Sequence, residues 1–164
     1  MLKQSFNKQE CLSNKILDSE ERFMLEVNKV LYENWIIMKS DYKYCYIDFI
    51  LINRNNLYSV YTEYKEREYK CDKSYYTNFY VSKKKLEMIK TFYKNCYLIW
   101  DFRKSGDSND FFFIKYNKSL LDSKLEYDKK NCSWRYCIDK DKCSIGFDNY
   151  IKLLEDISNT NLDK

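Results

Sequence analysis

Asp48, in Tyr46-Ile47-Asp48-Phe49-Ile50, and the pair Glu63 and Lys65, in Tyr61-Thr62-Glu63-Tyr64-Lys65-Glu66-Arg67, are the residues whose types and spacing suit chemistry. Two carboxylates on one surface can hold a divalent cation between them, and an amine beside them can reach the same volume. That combination suits phosphodiester cleavage. The elements that must position these groups are two strands. Residues 44–52 and 57–65 are rich in β-branched and aromatic side chains, and the four polar residues 53–56 between them suit a hairpin loop. Such a loop sets Ile52 opposite Leu57, Asp48 opposite Tyr61 and Tyr46 opposite Glu63. Side chains alternate along a strand, so Glu63 and Lys65 project together. Asp48 shares their face, diagonal to Glu63, with β-carbons about 7–8 Å apart or somewhat less.

A plainer reading exists for Glu63 and Lys65: an exposed same-face ion pair, worth under about 1 kcal/mol. Asp48 stands against it, because a carboxylate amid apolar strand residues is poorly solvated and needs a cation.

Composition narrows the chemistry further. The 164 residues contain no His, which excludes Ser-His-Asp and Cys-His catalysis and imidazole-ligated zinc. Only Gly106 and Gly146 occur, and neither belongs to a phosphate-cradling loop, so Walker-type and dinucleotide sites are excluded too. Carboxylates, Lys, Tyr, Ser and Cys remain, with metal help. A net charge of +4, spread along the chain, suits a nucleic-acid groove without demanding one. The 17 Tyr and 10 Phe fit core packing, and the Lys, Asn and Tyr excess equally fits an AT-rich coding sequence. Seven dispersed cysteines (Cys11, Cys45, Cys71, Cys96, Cys132, Cys137 and Cys143) read as buried hydrophobes or free thiols. The spacing of Cys132, Cys137 and Cys143 matches no standard zinc pattern. No run is long and apolar enough for a membrane span, and the start of the chain lacks a signal-peptide core. The expectation is an intracellular protein, cytoplasmic or nuclear, that is not secreted.

Along the chain, residues 1–16 read as disordered or loosely attached, 17–158 as one domain and 159–164 as a tail. Residues 17–34 carry a helical pattern with Asp18 or Ser19 as cap and Phe23, Val27, Val30 and Leu31 as the apolar face. Residues 35–39 read as a first strand, followed by the hairpin. Residues 68–81 show no obvious element. Ser82 caps a second helix over 83–94, with Leu86, Met88, Ile89 and Phe92 turned inward. Strands follow at 96–102 and 111–116 across a turn at 103–109. Residues 117–131 are hard to place, 134–138 suit an edge strand, and 147–157 a final amphipathic helix. The fold class is therefore α/β, a central mixed sheet flanked by helices, with the second helix crossing over between parallel strands.

The order helix, three strands, helix, strand over residues 17–102, with Asp48 on one strand and Glu63-Tyr64-Lys65 ending the next, resembles the PD-(D/E)XK nuclease superfamily. The helix bearing an early glutamate is similar to that of small resolvase-like members. The segments Tyr76-Thr77 and Ser82-Lys83-Lys84-Lys85 are similar to small nuclease-like proteins of phages and large DNA viruses. Ile47 replaces the proline of the family name, and residues 103–164, a C-terminal hairpin and helix, lie outside the resemblance. The resemblance implies a restriction-endonuclease-like α-β-β-β-α-β core. It also implies a site in which Asp48, Glu63, the Tyr64 carbonyl and Glu20 (or else Glu21) bind Mg2+, with Mn2+ as a substitute. Lys65 would act beside them. Glu20 also reads as a helix N-terminal acid steadied by the macrodipole. DNA is the implied partner, with RNA left open and a homodimer as the arrangement of resolvase-like relatives. Arg67, Tyr76, Lys83 and Lys84 are candidates for contacting nucleic acid, although solvated faces for the lysines and space-filling for Tyr76 are the plainer alternatives.

Overall fold

The computed structural model describes residues 2–3, 18–40, 46–92 and 94–160. Helix α1 (Ser19–Leu31) starts where Asp18 and Glu21 close a capping box. The Asp18 carboxylate accepts from the Glu21 amide at 2.7 Å, and Glu21 accepts from the Asp18 amide at 3.3 Å. Its buried stripe is Phe23, Met24, Val27 and Leu31. Val30, expected inside, is half exposed because it lies furthest from the centre of that stripe.

Strands β1 (Leu2–Lys3), β2 (Trp35–Ser40), β3 (Phe49–Asn53), β4 (Ser59–Glu66), β6 (Cys96–Asp101), β7 (Phe111–Lys115) and β10 (Ser144–Ile145) form a mixed sheet in the order β1-β2-β3-β4-β6-β7-β10. The two-residue β1 adds to an edge of the six others. Neighbours are antiparallel except β4 and β6, which helix α2 (Lys83–Phe92) joins as the expected crossover. Apart from Leu2–Lys3, the expectation of a loosely attached start over 1–16 falls on residues outside those described, as do the side chain of Phe92 and the beginning of the 44–52 strand.

The hairpin register differs from the sequence expectation by two residues. Ile52 faces Ser59 rather than Leu57, and Ile50 faces Tyr61. Asn53 causes the shift. Its carboxamide oxygen accepts from the amides of Asn55 and Asn56, and Leu57 turns into the left-handed region at φ 57°, so the loop is 54–57 and Leu57 is no strand residue. A slip of two preserves side-chain parity. Asp48 lies just beyond the last β3–β4 pair, Phe49 with Thr62, in a bend where its amide reaches the Thr62 carbonyl and its carboxylate the Tyr64 amide, so hydrogen bonds and not strand register set its place.

Both faces of this sheet are covered. On one, α1 and α3 (Phe147–Thr160) pack over Phe49, Leu51, Val60, Tyr64, Ile99 and Phe111. On the other, α2 and a second, antiparallel sheet pack over Leu98, Trp100 and Phe112. That second sheet, in the order β5-β9-β8, corrects two expectations. Residues 68–81 contain a 3-10 turn (Lys73–Tyr75) and most of β5 (Asn78–Ser82), while β9 (Ser133–Asp139) is the central strand, not an edge. β8 (Leu125–Asp128) and a 3-10 turn (Lys118–Asp122) occupy the stretch that was hard to place. Alternation of Phe79 and Val81 inward with Asn78, Tyr80 and Ser82 outward is a half-buried strand pattern, masked by the tyrosines around it. Met88, expected inside α2, is only partly covered, whereas Leu86 and Ile89 are fully buried.

Arg103 ties these layers together. Its guanidinium donates to both Glu26 oxygens (2.7 and 2.8 Å) and to both Asp101 oxygens (3.0 and 2.8 Å), over the rings of Phe111 and Phe147. Asp101 is 5 % exposed and also accepts from the Tyr64 hydroxyl at 3.0 Å. Arg103→Met is expected to cost about 3 kcal/mol in urea unfolding, because it strands a buried carboxylate. A loss below about 1 kcal/mol would mean that the network relaxes without it.

Candidate active site

Strand β4 places its alternate residues on opposite faces. Thr62 and Tyr64 turn to the α1–α3 side, where Thr62 meets the Tyr150 hydroxyl and the Tyr64 ring stacks on Phe23. Glu63 and Lys65 turn to the α2 side. There the Glu63 carboxylate is 2 % exposed. One of its oxygens, Oε1, takes the Lys65 ammonium at 3.0 Å and the Lys85 ammonium of α2. The other, Oε2, is buried with no partner among the described residues. A buried carboxylate oxygen without a donor is costly and calls for a cation or an ordered water.

Asp48 sits just before β3 and is half buried. Its Oδ2 accepts from the Tyr64 amide at 2.7 Å, and its own amide donates to the Thr62 carbonyl at 2.9 Å. Burial, then the neighbouring charges of Glu63 and Glu20, push its pKa from 3.8 up to about 7, against the opposing pull of the Tyr64 amide and Lys85. The N–H and C=O of one strand residue leave the same edge, so the Tyr64 carbonyl faces the Asp48 side as well. Asp48, Glu63 Oε2 and that carbonyl would offer an all-oxygen donor set of the kind a hard divalent cation takes, completed by waters. The unpartnered Oε2 is the observation that fits the group.

The remaining candidates fall in different places. Glu20 heads α1, on the opposite layer from Glu63, and its carboxylate meets Lys39 at 3.2 Å beside Asp18. Among the described residues, no three Asp, Glu or Cys side chains converge on one ion, so Glu20 does not complete a three-acid cluster there, and Cys132, Cys137 and Cys143 form no group with a further described ligand. Glu21 closes the capping box. Arg67 follows β4, where burial lowers its pKa against the pull of Glu63. Lys83 pairs loosely with Glu87 at 3.8 Å and Lys84 is exposed, so both sit on the solvent side of α2. Tyr76 packs edge-on against Tyr69 and Phe102.

Lys85, which the sequence offers with Lys83 and Lys84 only as a phosphate contact or a solvated face, instead pairs with Glu63. Its spacing held a signal: Lys85 precedes buried Leu86 and lies one turn before buried Ile89, on the edge of the inward stripe.

A cavity of about 560 Å3 opens beside the acid pair, between the end of β4, Trp100 and Phe102 of the main sheet, and the outer surface of β5 and β9. Lys65 lines it while holding Glu63, so this side chain links the cavity to the acid pair, although Asp48 and Glu63 are not among the lining residues. The sequence matches no protein-family model and no curated protein. No helix among the described residues is long and apolar enough to cross a membrane.

Proposed function

We propose that this protein is a metal-dependent nuclease of the PD-(D/E)XK type, with a restriction-endonuclease-like core, that hydrolyses phosphodiester bonds of DNA. The unpartnered, buried Glu63 Oε2 beside Asp48 and two ammonium groups carries the reading. The order α1-β2-β3-β4-α2-β6 and the parallel β4–β6 pair support it, with β5 as an insertion between β4 and α2.

Asp48 and Glu63 would hold the ion, with the Tyr64 carbonyl as a third oxygen. Mg2+ or Mn2+ supplies polarisation of the phosphate and acidifies water. Lys65 orients the attacking water and balances charge on the phosphate oxygens, in a site where burial strengthens both effects. Lys85 holds Glu63 in place from α2, which makes it a positioning residue. The water oxygen bonds to phosphorus as one P–O ester bond breaks; the water proton leaves to solvent, and the departing sugar oxygen takes one from solvent.

One observation favours a second reading, a catalytically inactive nucleic-acid-binding module. Lys65 and Lys85 already neutralise Glu63, as they would in a purely structural network. Labelled duplex, branched and single-stranded DNA with Mg2+ or Mn2+ separates the two. The nuclease reading expects cleavage that EDTA stops and that the Lys65→Ala/Glu63→Ala double variant lacks. Equal cleavage by wild type and the double variant defeats it, and binding that is indifferent to metal, steep in salt and never followed by cleavage establishes the module.

A further inference from the structure

The cavity beside the acid pair has a chemistry of its own. Four cationic side chains line it, Lys65, Arg67, Lys70 and Arg135, against two acids, Glu68 and Asp128. Its walls also carry π-faces. Tyr80 is 37 % exposed and lies under the Arg135 guanidinium, 3.7 Å from ring centroid to carbon, and Tyr76 stands on the same lining. Arg135 is held by Asp128 at 3.3 Å and Glu126 at 3.7 Å. Cations and aromatic side chains together suit a planar, anionic ligand.

Resting on the nucleic-acid reading of the neighbouring site, we propose that this cavity receives one unpaired nucleotide of the substrate strand. Its volume lies in the range of small-molecule pockets, roughly 300–1,000 Å3, which suits a single nucleotide and not a base pair still stacked in a duplex. The base stacks at Tyr80 and Arg135, and its phosphate meets Arg67 and Lys70. The next phosphodiester along the strand then falls at Lys65, against Glu63. The second sheet supplies the wall that makes the site selective for single strands, flaps or flipped-out bases over intact duplex.

Fluorescence anisotropy with labelled (dT)12, (rU)12 and a 12-base-pair duplex tests this in EDTA, where no cleavage occurs. The proposal expects one of the two single strands to bind at least about tenfold tighter than duplex, and the preferred one identifies the sugar. Tyr80→Ala is expected to weaken that binding about fivefold to a hundredfold, with an unchanged melting temperature because the residue is at the surface. Arg135→Gln is expected to weaken it about tenfold. Duplex bound as tightly as single strands, or both variants binding like wild type, overturns the proposal. Cleavage by wild type alongside such a negative result leaves the nuclease standing without this subsite. Variant-sensitive binding with no cleavage in Mn2+ leaves the subsite standing without the nuclease.

Discussion

Asp48→Asn is expected to abolish cleavage and yet to stabilise the metal-free protein above pH 7. The loss of activity, about 10²–10³-fold or more, follows from removing one of the two carboxylates that would hold the ion. The gain in stability follows from the raised pKa. Asp48 binds its proton more tightly in the folded chain, with a pKa of about 7, than at its ordinary value of 3.8. The folded state therefore holds more protons between those values, and its stability falls as pH rises from about 4 through about 7. Asparagine keeps an oxygen for the Tyr64 amide and carries no charge to desolvate. Asp48 is partly exposed, so solvent screening reduces the effect. A residual 1 kcal/mol corresponds to about 2–4 °C. Thermal melts in EDTA at pH 5 and pH 8 read it out: the wild type loses ground at pH 8 and the variant does not. Equal pH dependence in both proteins would show that Asp48 titrates normally.

Glu63→Gln is expected to remove cleavage to the same degree but to destabilise the fold, by about 2–3 kcal/mol in urea unfolding. Glu63 Oε1 is the anion between the Lys65 and Lys85 ammonium groups, and glutamine leaves two partly buried cations facing each other. Opposite signs of stability change at two adjacent carboxylates, with the same loss of activity, are hard to reconcile with a salt-bridge network alone. In such a network each acid offsets a cation, and losing either one weakens the fold. A stabilised Glu63→Gln protein would contradict the placement of both lysines.

Much of this arrangement was legible in the chain because it depends on side-chain parity. Glu63 and Lys65 share a face by their spacing, whereas Asp48 lies past the end of the β3–β4 ladder, held by the Thr62 carbonyl and the Tyr64 amide, which parity does not encode. The register itself depends on the Asn53 carboxamide and the left-handed Leu57, local hydrogen bonding that strand propensity does not encode. The crossover to a parallel neighbour follows from a helix lying between two strands. The second sheet was harder to see. β5 alternates over only five residues amid tyrosines and β8 is four mostly polar residues, so periodicity alone does not distinguish them from loop, whereas β9 is readable as a strand but not as the central one. Glu20 shows the limit of placing an acid by its position on a helix. It caps the layer opposite Glu63, and whether it joins the site depends on Lys39, a residue with no mark in the sequence. Arg135 and Trp100 carry no motif at all, and they acquire meaning only from the cavity between the sheets.

Calorimetric titration of Mn2+ into the wild type, Asp48→Asn and Glu63→Gln proteins tests the central claim most directly. The two carboxylates acting jointly predict one saturable site in the wild type that is lost, or weakened at least about tenfold, in each variant. Wild-type protein that takes up no Mn2+, or variants that bind it unchanged, would contradict a divalent-ion site built by Asp48 and Glu63.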